Sequence, residues 1–170
     1  MWISILIISV IGTLLHFLYE ISHHNKYVAL FAAVNESTWE HIKIALTPTL
    51  LWSLYDGFVY GIESNYFIAK ALSLVSIIII MPTIFYSYTK LTKKSILFID
   101  ISSFYLVIII AQAIFYYIIN LPALGFVYNY LSVILLFIIF GTYMTATLMP
   151  LKNFIFKDPI SKKYDIKQKQ

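Results

Sequence analysis

All four histidines of the chain, and three of its four glutamates, lie between His16 and Lys43. The stretch reads HFLYEISHHNKYVALFAAVNESTWEHIK. His16 and Glu20 are four residues apart, as are Glu36 and Glu40, and on a helix that spacing puts two side chains on one face. His41 stands about 100° round the helix from Glu40 and reaches the same point from the flank. Imidazole with carboxylate is an ordinary donor set for zinc or another divalent metal. The candidate ligands are therefore His16, Glu20, Glu36 and Glu40; Asn35 and His41 complete a candidate polar cluster. The spacing matches no metal motif: HExxH is absent. A plainer reading of the same residues has Glu40 capping a helix with Ser37, Glu36 complementing the helix dipole, and His16 pairing with Glu20 near lipid headgroups. Carboxylates in a partly dry site repel one another, so a proton, a histidinium, Lys43 or a metal must offset their charge.

The elements that carry these residues are apolar. Of 170 residues, 61% are hydrophobic and 12% charged, and the mean hydropathy is +0.84. A soluble domain is nearer a quarter charged, so the composition fits an all-α, polytopic membrane bundle of about five transmembrane helices. There is no cysteine, which removes disulfides, thiolate metal sites and a cysteine nucleophile. No glycine-rich phosphate loop or nucleophile elbow is present. The net charge of +4 comes from lysines gathered at the ends of apolar spans. It points to membrane topology, with lipid as partner, and not to nucleic acid.

The expected spans are 2–20, 37–62, 66–88, 96–119 and 124–149, within one helical domain at 1–150 followed by a lysine-rich tail at 151–170, loose at its end. Trp2–Tyr19 lacks the basic start and cleavage site of a signal peptide. The apolar run Tyr27–Val34 is too short to cross a bilayer as a helix, and lies in the interface or dips in and returns. Ser37-Thr38-Trp39-Glu40 matches a capping box and starts the second helix. Pro48 removes one backbone bond inside it. Glu40, Lys43 and Thr47 share one face with Glu36, while Trp39, Ile42 and Leu46 share another. Asp56 and Lys70 sit at similar depth on consecutive antiparallel helices and should form a structural ion pair, because an unpaired charge in lipid is costly. Asp100 joins the cluster, complements a helix dipole or pairs with Lys93 or Lys94. Gln112 reads as interhelical glue. Trp2, Trp39, Tyr66, Tyr86 and Tyr88 read as interfacial belts.

Orientation follows from lysine placement. With the N-terminus outside, Lys26, Lys90, Lys93, Lys94 and six tail lysines lie in the cytoplasm, and Lys70 alone falls on the outer side. The expected location is the cytoplasmic membrane, multi-pass, with the C-terminus inside.

His16-Phe17-Leu18-Tyr19-Glu20, Val34-Asn35-Glu36-Ser37, Trp39-Glu40-His41 with Lys43, and the tail segment Phe156-Lys157-Asp158-Pro159-Ile160 near Tyr164 together resemble an uncharacterised family of small bacterial integral membrane proteins. The resemblance implies a shared multi-span fold and no known activity. It implies small residues where His23-His24 and Lys162-Lys163 stand.

Three functional readings follow. The first is a membrane protein whose polar cluster holds the fold or a partner together without turnover. The second is a metal-dependent membrane hydrolase, with Glu36 or Glu40 as base and His16 or His41 as ligand. The third is a carrier that couples to cations or protons through the same carboxylates. Base rates favour the first.

Overall fold

The computed structural model describes residues 1–62 and 65–164. Among them are five α-helices and no strand: α1 Trp2–Ile21, α2 Thr38–Tyr60, α3 Tyr66–Thr92, α4 Leu97–Ile119 and α5 Phe126–Leu148. A short 3₁₀ turn, Val28–Leu30, interrupts the connector between α1 and α2. α3 is central and packs on α2, α4 and α5, while α1 packs on α2 and α4. The core between them is aliphatic, with Ile8, Leu46, Leu74, Ile77 and Val107 all buried. The outer surface is apolar as well: Leu54, Phe58, Phe126 and Phe137 are strongly exposed. A protein apolar inside and outside is one whose outside meets hydrocarbon.

Four of the helices, α1, α3, α4 and α5, are long and apolar enough to cross a membrane. α2 falls outside that group, which departs from the expected five spans. It carries Glu40, Lys43 and Asp56, and all three are buried. Its exposed residues are apolar, among them Leu51, Leu54, Phe58 and Val59. The low average hydropathy of α2 thus comes from residues turned away from the surroundings.

α1 and α2 approach closely at one point. A Cβ built on Gly12 would lie 2.8 Å from the carbonyl oxygen of Ile44 and 2.6 Å from the Phe104 ring. Pro48 sits four residues after Ile44 and has no N–H to give that carbonyl. The helix runs unbroken through Pro48, and the released carbonyl faces the one residue of α1 with no side chain to keep it away.

The connector folds back over the end of the bundle. Ala29, Ala32 and Val34 are buried with Tyr19, and the Ala33 N–H donates to the Leu15 carbonyl at 3.2 Å. His23 and His24 end α1 with φ of 56° and 65°, and Lys162 has φ of 61°. Residues with a Cβ are disfavoured in that left-handed region. The segment after α5 also packs down. Phe156 is buried and stacks on Trp39 with ring centroids 5.1 Å apart, and the Trp39 N–H donates to the Ile155 carbonyl at 3.0 Å. Trp39 is therefore interior and not part of an interfacial belt. Tyr66 is interior too, donating its hydroxyl to the Ser53 carbonyl at 2.5 Å. The expected loose end of the tail, 165–170, lies outside the described residues.

Candidate functional site

Ser37 caps α2, its hydroxyl accepting from the Glu40 N–H at 3.4 Å. Only that half of the capping box forms. The Ser37 N–H goes to the Asn35 side-chain oxygen at 2.8 Å, so Asn35 shapes the turn before the helix. The Glu40 carboxylate instead accepts the Val34 N–H at 2.9 Å and meets the Lys43 ammonium at 2.6 Å. Lys43 also donates to the Ala29 carbonyl at 2.8 Å, and its side chain is 1% exposed. One turn on, the Thr47 hydroxyl lies 2.8 Å from the Lys43 carbonyl and 2.7 Å from the Tyr143 hydroxyl, with one proton to give to either. Tyr143, from α5, donates to the Leu30 carbonyl at 2.9 Å. The network ties α2 and α5 to both ends of the short apolar run in the connector. Each buried charge has an opposite charge and a backbone partner, the condition under which burial is tolerated.

A second group lies nearer the surface. Glu36 precedes the cap, so its side chain leaves in a different direction from Glu40. Its two carboxylate oxygens lie 3.7 Å from His16 Nε2 and 3.7 Å from His41 Nε2. The two imidazole rings are 5.6 Å apart at their centroids. His41 Nδ1 lies 3.0 Å from the Ser37 carbonyl. A carbonyl only accepts, so Nδ1 carries a proton and Nε2 of the neutral ring is left with a lone pair facing Glu36. Donor atoms of His16, Glu36 and His41 all lie within 4.8 Å of one another. Thus His16 and Glu36 meet, as do Glu36 and His41. Glu20 lies at the exposed end of α1 and Glu40 is held by Lys43; neither belongs to this trio.

The remaining charged residues are placed as follows. Lys70 bonds Asp56 in the buried centre of the bundle, and its ammonium stands 3.8 Å from the centroid of the Phe115 ring. Asp100 accepts a hydrogen bond from the Tyr88 hydroxyl, so Tyr88 ties the end of α3 to the start of α4. Gln112 is fully buried, but its amide makes no hydrogen bond among the described residues, so it does not act as glue there. At the opposite end of the bundle Asn65, also fully buried, donates to the carbonyls of Leu121 and Pro122 at 2.8 and 3.1 Å and accepts the Leu124 N–H at 2.9 Å.

Sequence reasoning does not single out Tyr143 or Asn65, and it names Phe156 only within the tail segment that carries the resemblance. Tyr143 lies in a span where the helical pattern gives no reason to prefer one aromatic residue. Asn65 carries a signal, an amide beside a helix start, but its partners are in a loop more than fifty residues away. A shallow cavity of about 260 Å³ lies between α3 and the segment after α5, lined by Tyr86, Phe154, Lys157 and Asp158 among others.

No curated protein and no solved structure matches the chain. The family of unknown function DUF6512 matches it over residues 1–166. With that coverage, the four apolar helices and the all-helical bundle, the chain is a membrane protein that belongs to the DUF6512 family.

Proposed function

We propose that this is a multi-pass protein of the cytoplasmic membrane whose polar cluster works without turnover, holding the inner-surface end of the bundle rigid as a platform for a partner. α2 serves as the fifth span. It is 23 residues long, about 34 Å at 1.5 Å per residue against a hydrocarbon core of about 30 Å. Its exposed apolar residues support that reading. With five spans the lysine distribution favours an external N-terminus and a cytoplasmic connector, 93–96 loop and tail.

The observation that carries the structural reading is the pairing of Glu40 with Lys43. Both charges are satisfied inside the fold, by each other and by the backbone of the connector. A catalytic base or a carrier's coupling residue needs access to substrate or solvent, and this pair is buried. The test is a double-mutant cycle on thermal unfolding in nanodiscs. Lys43→Met and Glu40→Gln should each lower stability, and the double variant should lose less than the sum. Strict additivity would remove the pair from the account.

A further inference from the structure

We propose that His16, Glu36 and His41 bind a divalent transition metal of the zinc class. This goes beyond the structural reading above and does not depend on membrane orientation. The three residues come from different elements: His16 from α1, Glu36 from the turn before α2, and His41 from the first turn of α2. Their donor atoms nevertheless converge, with two nitrogen-to-oxygen separations of 3.7 Å and all three within 4.8 Å. Ligands bonded tetrahedrally to zinc at about 2.1 Å stand about 3.4 Å apart. The two 3.7 Å separations are to different oxygens of Glu36. With one oxygen as ligand, a 3.7 Å separation closes by roughly 0.3 Å and one of up to 4.8 Å by as much as roughly 1.4 Å, through side-chain rotation around the ion.

The surroundings orient the ligands. The Ser37 carbonyl takes the Nδ1 proton of His41 and leaves Nε2 as the ligating atom, the arrangement in which metal-bound histidines are usually held. The same Ser37 caps α2, and its N–H is held by Asn35, so the backbone on both sides of Glu36 is fixed. An imidazole lone pair and a carboxylate facing each other are offset by a proton or by a metal ion between them, and a metal ion engages both histidines and Glu36 at once. The side chains are 26%, 36% and 30% exposed for His16, Glu36 and His41, which leaves an ion a path from solvent. Two histidines and one carboxylate supply three ligands, so a fourth position remains for water or an exchangeable ligand. Lys43 does not compete, because Glu40 and Ala29 hold it.

The experiment uses the full chain in nanodiscs, stripped with chelator and titrated with Zn²⁺ by calorimetry and with Co²⁺ by visible absorption. One equivalent should bind per chain, and Co²⁺ should give an intense tetrahedral-type spectrum. His16→Ala, His41→Ala and Glu36→Gln should each weaken Zn²⁺ binding at least about tenfold. Binding should also weaken as the solution is acidified, because a protonated ring cannot ligate. Unfolding curves of the metal-free variants establish that each is folded, and His16→Gln replaces His16→Ala if the latter is not. The double variant His23→Ala/His24→Ala should bind as the parent does. The proposal is overturned by the absence of saturable binding near one equivalent, by binding unchanged in both folded His16 and His41 variants, or by loss of binding in the His23/His24 variant.

Discussion

Removing the Lys43 ammonium leaves the Glu40 carboxylate inside the bundle with the Val34 N–H as its hydrogen-bond donor. Breaking a buried pair from one side costs about 3–5 kcal/mol, and Lys43→Met should approach that range in thermal unfolding. Glu40→Gln should cost less, because an amide still accepts from Val34 and Lys43. The double variant should recover part of the loss, since it leaves no unpaired charge. The placement of Glu36 follows from where the helix begins. The four-residue rule that puts Glu36 beside Glu40 holds only inside a helix, and α2 starts at Thr38, after both Glu36 and the Ser37 cap. Glu36 therefore turns to His16 and His41, while Glu40 turns inward. Dense ionisable residues marked this region from the sequence alone. Which carboxylate met which partner depended on one cap residue and on a backbone donor at Val34, and spacing carries neither.

At the scale of elements, the α1–α2 crossing depends on Gly12 and Pro48 together. Gly12→Ala would set a methyl group 2.8 Å from the Ile44 carbonyl, which is backbone and cannot turn aside. Overpacking of this kind costs about 1–3 kcal/mol, offset in part by the better helix propensity of alanine. Unfolding of Gly12→Ala in nanodiscs should occur at lower temperature than the parent. A stabilised variant would mean that the helices separate freely there. The helical, apolar character of the chain was readable because runs of apolar residues bounded by lysine, proline and asparagine leave few alternatives. α3 continues to Thr92, past the tyrosines at which its apolar run ends. The fold-back of the connector and the docking of the tail were not readable. Each rests on single long-range contacts, such as Trp39 with Phe156 and Tyr143 with Leu30.

For the whole molecule, the arrangement is a bundle whose two ends are closed by different means. At one end, among the described residues, the neutral side chain of Asn65 gathers the loop between α4 and α5. The other is closed by a charged network, the connector and the segment after α5. The inferred orientation puts this second end in the cytoplasm. A cysteine replacing Ser95 should resist a membrane-impermeant reagent applied to intact cells, and one replacing Leu124 should react. The reverse pattern would invert the topology. On the proposed reading, Glu40 and Lys43 hold this charged end of the bundle together. Hydrogen–deuterium exchange on the full chain in nanodiscs, comparing the parent with Lys43→Met, tests it most directly. Exchange should be faster in residues 22–37 of Lys43→Met, with the loop held by Asn65 at 120–125 unchanged. Equal exchange in 22–37, or an acceleration as large in 120–125, would contradict it.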